Sequence, residues 1–287
     1  EAAPTYLEWQ REQSNYQLIR LMNRHLLKEV AARKRSVQMY APAFSIYFSP
    51  ELRLLSMDQE AVSLEHVWQD WVLNQRHEKV QEDINSWQDR LIVNKVSIQE
   101  KLKIAKETQN LVPSNLLTRY LQTRVNDSLD VYWQFRKMII IQHAATSFMQ
   151  TVLHVAPPTP ADLHIFLDNS QVYMADFAYH FARDGSLRTN PRPTAIPFRF
   201  TPNLQEFFGP LREGGLFEAA MTATALALTK PSALVLMKQV LTLQMRDALL
   251  QWMNVSRNAP LSPEEKELVN MRYVSNTQLI MDRLESL

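Results

Sequence analysis

The sequence predicts an α+β chain that is mainly α. Only four glycines occur in 287 residues, too few for a chain built on tight hairpins, barrels or a glycine-rich phosphate cradle. Long stretches place apolar residues at helical spacing. One stretch instead is dense in β-branched and aromatic residues and broken by proline, and a later one has two short apolar runs about a turn, the marks of short strands.

Residues 6 to 33 carry Tyr16, Leu18, Ile19, Leu21, Met22, Leu26, Leu27 and Val30, the spacing of one long helix. Lys28, Arg33, Lys34 and Arg35 suit its C-terminal end, where cations offset the helix dipole. The run "VQMYAPAFSIYFSPELRLLSM" then reads as two or three short strands interrupted by Pro42 and Pro50. "AVSLEHVWQDWVL" and residues 80–106 return to helix, and "VPSNLLTRYLQTRV" is a short helix with Ser114 as its expected N-cap. "SLDVYWQFRKMIIIQHAATSFMQTVLHV" is the most apolar helix. From Met138 it is hydrophobic nearly all round, which predicts a central, buried element in which Trp133, Phe135 and Phe148 all pack.

Three prolines, Pro157, Pro158 and Pro160, end that helix in "HVAPPTPADLHI". Two short apolar runs joined by Asp168-Asn169-Ser170 then predict a small hairpin. Residues 180–197 read as an irregular basic loop. The remainder is helical, with Ser262 capping the last helix and Pro263 in its first turn.

Composition excludes several functions. Lys+Arg 31 against Asp+Glu 30 is no nucleic-acid footprint. Zero cysteines exclude disulfides and thiolate metal sites, and fit a reducing compartment. The longest apolar runs fall far short of the roughly 20 residues a membrane span needs, so no membrane contact is expected. The first residues do not read as a signal peptide. The missing initial methionine and an apparent mid-helix end suggest a piece of a longer chain.

This order of elements is that of a protein kinase-like domain from its αC helix onward. The segments "YQLIRLMNRHL" (16–26), "SPELRLL" (49–55), "DVYWQFRKM" (130–138) and "IPFRFTPNLQEFFGP" (196–210) narrow it. Together they resemble the phosphatidylinositol 3-kinase-related kinases, and within them the pseudokinase branch, the TRRAP family, over nearly the whole chain. The resemblance implies a partial N-lobe over residues 1–75, with αC helix, short strands and hinge, and a helical C-lobe over 76–287. It places a catalytic loop at 154–165, a magnesium loop at 174–179 and an activation-loop-like segment at 180–203. The glycine-rich loop and nucleotide-binding lysine are expected upstream of these residues, and a short terminal segment beyond Leu287.

Active relatives carry a loop resembling Gly-Asp-Arg-His-x-x-Asn and then Asp-Phe-Gly. Counted back from "ADFAY", the loop's Asp falls on Pro157, its Arg on Pro158, its His on Thr159 and its metal-binding Asn on Asp162. The triplet falls on Asp176, Phe177 and Ala178. Proline offers neither carboxylate nor N–H, so the general-base contribution, typically about 10²–10⁴-fold, is absent. Asp162 and Asp176 keep carboxylates where metal ligands would sit. The plainer reading has Asp162 capping the hairpin and Asp176 bonding nearby backbone. Ala178 in place of glycine narrows the backbone freedom of that loop. His154, His164 and His180 match no metal-ligand spacing. Arg183, Arg188, Arg192 and Arg199 form either a solvated loop or a docking edge.

No catalytic residue, cofactor or metal is therefore expected. The resemblance implies a non-catalytic scaffold within histone acetyltransferase coactivator complexes such as SAGA, in the nucleus. Its expected partners are the other subunits, transcription activators and its own helical-repeat chain. The alternatives are a divergent phosphotransferase using Asp162 and Asp176, and a plain helical binding module.

Overall fold

The computed structural model describes residues 6–42, 45–49, 52–56, 61–74, 79–80, 82–86, 97–125, 128–155, 158–174, 177–188, 198–212, 214–253 and 262–287. Helices dominate, with two small antiparallel sheets, as the α+β, mainly α expectation requires.

The long N-terminal helix is broken. Helix α1 spans Tyr6–Lys28 and α2 spans Val30–Lys34. Between them Glu29 turns extended and its carboxylate caps the amide of Ala31. The same carboxylate pairs with Lys230 far along the chain, which depresses its pKa below the usual carboxylate value. Tyr16, Ile19, Met22 and Leu26 form the buried stripe of α1.

Strands β1 (Ser45–Ser49) and β2 (Leu52–Leu55) form one hairpin. A second sheet has β3 (Ala61–Ser63), β4 (Leu163–Phe166) and β5 (Val172–Met174) in that order. The predicted 163–177 hairpin is β4–β5. Ser170 takes the left-handed conformation at its turn, and Asn169 accepts a hydrogen bond from the amide of Gln171. Residues 61–63, read as the start of a helix, instead pair with β4, Val62 opposite Ile165.

Helix α3 (Leu64–Asn74) follows β3 directly. Helix α4 (Ile98–Leu111) starts on a Ser97 cap. Helix α5 (Leu116–Arg124) is preceded by Asn115 rather than Ser114 at the cap position. Helix α6 (Leu129–Leu153) is the centre of the core: Ile139 through Gln150 are buried without a break. Ser128 caps its start, and His154 ends it in the left-handed conformation at φ 55°. Helix α7 (Pro202–Phe208) opens on a Thr201 cap with Pro202 in its first turn. Helices α8 (Leu216–Leu228), α9 (Pro231–Trp252) and α10 (Pro263–Glu285) complete the fold, and Ser262 and Glu265 form a reciprocal capping box on α10.

Helix α8 packs along α6, α9 pairs with α10, and α1 lies against α8 and α9. One contiguous core runs from Leu18 to Leu284, so α1 shares it with the helices at the far end of the chain. Among the described residues no single helix is long and apolar enough to cross a membrane. Helices α8 and α9 pass that test only as a pair, bent by 82° at their junction.

The structure corrects one expectation for α6. Phe135 and Phe148 are buried, but Trp133 is 42% exposed, because the helix emerges from the core at its N-terminal end. Phe148→Ala is expected to cost about 3–5 kcal/mol of stability, and Trp133→Ala about 1 kcal/mol or less. Urea unfolding of the two variants beside the parent checks the contrast.

Candidate functional site

The 154–165 turn sits where α6, α3 and the 198–203 segment converge. Its prolines carry no N–H, so the loop is held through its carbonyls. The Pro158 carbonyl accepts the Arg199 Nε hydrogen at 2.7 Å. The Pro160 carbonyl accepts from the amide of Glu65, at the first turn of α3, at 3.0 Å. Asp162 closes the turn on itself. One of its oxygens accepts from the Thr159 hydroxyl at 2.5 Å and the Thr159 amide at 3.2 Å, while its own amide donates to the Thr159 carbonyl at 3.1 Å.

Of the expected site positions, Pro157 and Asp176 lie outside the described residues, as does Arg192 in the basic segment. Pro158 is buried, Thr159 exposed, and Asp162 and Ala178 half-buried. The Asp162 carboxylate is engaged with Thr159 within its own turn. The histidines have separate neighbours. His154 meets the Arg283 guanidinium at 3.1 Å, His164 lies beside the Tyr173 ring, and His180 is exposed. Among the described residues no group of three or more His, Cys, Asp or Glu could hold a metal ion.

The β4–β5 hairpin has two unlike faces. Leu163, Ile165, Val172 and Met174 face the main core. There the Gln142 amide oxygen of α6 accepts from the amide of Val172 at 2.9 Å, and the Gln150 amide donates to the Met174 sulfur at 2.9 Å. Phe166 and Tyr173 form a second cluster with Tyr16 and Tyr40. The Tyr40 ring lies 4.7 Å from Phe166 and 5.3 Å from Tyr173. The hydroxyls of Tyr16 and Tyr173 are 2.7 Å apart, and that of Tyr16 also donates to Glu12. Burial, the neighbouring Tyr173 and the Glu12 carboxylate all push the Tyr16 pKa well above its usual value. Aromatic rings and a hydroxyl chain therefore join α1 to the hairpin. The Phe177 carbonyl beyond β5 is held by the Asn15 amide at 2.9 Å.

The 180–197 segment is less irregular than expected where it is described. Phe181 bridges Leu187 across a turn at positive-φ Gly185. Asn276 of α10 accepts from the amide of Leu187 and donates to the Gly185 carbonyl. Asp184 pairs with Arg272. Arg183 and Arg188 are exposed, but Arg199 is half-buried and structural.

The contacts of Tyr16, Asn15, Tyr40 and Arg199 were missed by sequence reading. The distinctive segments do give a signal in hindsight, because they touch each other. Arg136, from "YWQFRK", donates to the Phe207 carbonyl at 2.6 Å and lies over the Phe207 ring. A Cβ at Gly209 would stand 2.6 Å from that guanidinium. Asn203, from "TPN", accepts from the amide of Leu117 at 3.1 Å.

With this geometry in place, comparison with known proteins is decisive. Residues 8–254 match the phosphatidylinositol 3- and 4-kinase family. The chain belongs to that family. It is 30% identical over 98% of its length to the human transformation/transcription domain-associated protein, and 24% identical over 99% to the SAGA complex/NuA4 acetyltransferase complex subunit TRA1 of Saccharomyces cerevisiae. It covers 8% of each of those two relatives, a small part of their length. A solved structure titled "FAT and kinase domain of CtTel1" shares the fold, with TM-score 0.66, 13% identity, 96% of this chain covered and 19% of that one. These relatives place the chain in the TRRAP branch of the phosphatidylinositol 3-kinase-related group.

One Asp162 oxygen is engaged with Thr159, and tyrosine and phenylalanine rings pack the hairpin face beneath α1.

His143 is buried in α6, its Nε2 donating to the Arg199 carbonyl at 2.9 Å, and burial lowers its pKa to about 4. Below about pH 6.5 the unfolded imidazole takes up a proton that the folded one refuses. This group therefore leaves stability unaffected above that value and erodes it as pH falls towards about 4. The expected loss by about pH 5 is about 2 kcal/mol, and His143→Gln should flatten the urea midpoint between pH 7.5 and 5. Tyr16→Phe removes the hydroxyl shared by Tyr173 and Glu12, and is expected to cost about 1–2 kcal/mol, seen as a lower melting temperature.

Proposed function

We propose that this chain is a kinase-fold region without phosphotransfer activity, acting as part of a large scaffold subunit of histone acetyltransferase coactivator complexes in the nucleus. In this reading residues 1–75 are a partial N-lobe and 76–287 the C-lobe. The partners are other subunits, transcription activators and the rest of its own chain, and none is a nucleic acid or a membrane.

The observation that carries the reading is the loop in which an active kinase keeps its chemistry. In the register from "ADFAY", Pro157 and Pro158 stand at the Asp and Arg positions, Thr159 at the His and Asp162 at the Asn. Phosphoryl transfer needs a carboxylate at the first position and free metal ligands at the last. The loop instead spends its polar groups on holding itself to α3 and Arg199. Two relatives named as subunits of SAGA and NuA4 acetyltransferase complexes support the scaffold role.

Thermal-shift titration of the full-length protein with ATP and magnesium, beside a phosphorylation assay, tests it. The expected outcome is no stabilisation and no transfer, with Pro157→Asp equally inactive because the Arg and Asn partners are also absent. ATP-dependent stabilisation that vanishes in Asp176→Asn, together with phosphate transfer, would establish a divergent kinase instead.

A further inference from the structure

The end of α1 and the whole of α2 gather charge of one sign. Residues 24–35 hold Arg24, Lys28, Arg33, Lys34 and Arg35 against the single carboxylate of Glu29, in a chain whose net charge is only +1. Arg33-Lys34-Arg35 is the only run of three basic residues in the sequence. All five cations are exposed. Arg35 donates to the Ala31 carbonyl of its own helix, and none of the five forms an ion pair among the described residues. Glu29 is already taken by Lys230, so that pair offsets nothing else.

Helix ends account for only a fraction of this charge. A helix C-terminus offers about half a negative charge, so α1 and α2 together offset about one cation of the five. The packed neighbours add little. The only charged residue of α8 is Glu218, whose carboxylate accepts from the Gly214 amide at 2.7 Å. Arg212 is followed in the sequence by Glu213 and is set against it. With Lys230 included, six cations face two carboxylates, a surplus of four positive charges.

A hollow of about 320 Å³ adjoins these cations, between α2 and α8. Ala31 and Arg35, one turn apart, line the α2 side. Ala219, Ala223 and Leu226 line the α8 side, where small side chains let another backbone come close. Apolar groups stand exposed among the charges: Leu27 at 60%, Val30 at 49% and Leu226 at 52%. Charge complementarity therefore sets the class of occupant as an anion. The apolar groups favour a protein segment over a nucleic acid, whose sugar-phosphate backbone would leave them in water.

We propose that this face docks an acidic segment of a partner protein. Its carboxylates meet Lys28, Arg33, Lys34 and Arg35, the guanidinium groups offering paired donors, and its apolar side chains cover Val30 and Leu226. The face shares no residue with the 154–165 turn, so the proposal holds whatever chemistry that loop carries.

The test uses the full-length protein and fluorescence anisotropy with a labelled short peptide built around Glu-Glu-Leu-Glu-Asp-Leu. A control peptide carries Gln and Asn in place of Glu and Asp, and a short DNA duplex serves as competitor. Saturable binding of the acidic peptide is expected, weakening as salt rises. The double variant Arg33→Glu, Lys34→Glu is expected to bind it about tenfold more weakly, as is the parent protein the control peptide. Leu226→Glu keeps every cation and places a carboxylate at the hollow, and is expected to weaken binding as well. These three residues are exposed, and melting curves beside the parent show that both variants fold. Absence of saturable binding, equal affinity for the two peptides, or unchanged affinity in either folded variant overturns the proposal. Tighter binding of the duplex than of the peptide, lost in the double variant, overturns it in favour of a nucleic-acid face.

Discussion

Helix α6 is the constraint on which the rest of the structure depends. A helix buried on every side must be covered on every side, and each polar atom it carries inward must find a partner. Helix α8 covers one face, α10 another, and the β4–β5 hairpin a third. Of its buried polar residues, Gln142, His143 and Gln150 each reach a different neighbour: the edge of β5, the Arg199 carbonyl and the Met174 sulfur. The bonding remains incomplete, since Gln142 Nε2, Gln150 Oε1 and Ser147 Oγ are buried without partners. These contacts fix the hairpin and the 198–203 segment relative to one helix, so the turn between them has little freedom left.

The turn follows from that. It must leave α6 within one residue, which puts His154 in a left-handed conformation that side chains other than glycine, asparagine and aspartate seldom adopt. Arg283 of α10 meets the imidazole there and helps hold it. The prolines that come next restrict the backbone before any contact forms, and then offer only carbonyls. Arg199 and the first turn of α3 take two of them. The Thr159–Asp162 hydrogen bonds then close the turn on itself.

How much of this could be read from the sequence depended on distance along the chain. The buried helix, the β4–β5 hairpin and the Ser262 capping box are governed by residues within a few positions of each other, and the pattern displays them. The break after Lys28 needed Lys230 to hold Glu29, and the pairing of β3 needed β4 some hundred residues later. The exposure of Trp133 depends on where α6 emerges from the core, which no local period records. The site divides the same way. The Asp162 contact is local, with Thr159 three positions away. Asn15 on the Phe177 carbonyl and Tyr16 on Tyr173 join residues more than 150 apart, so only the folded chain brings them together.

The segments that identify the family are themselves architectural. Arg136 joins α6 to α7 through Phe207, Asn203 joins α7 to α5, and Arg199 joins the same region to the turn. None of these contacts involves a reacting group. A chain can keep every one of them whatever chemistry its loop carries. One Asp162 oxygen closes its own turn by accepting both donors of Thr159. These hydrogen bonds hold the loop through its own side chains, as Arg199 and the first turn of α3 hold it through its carbonyls.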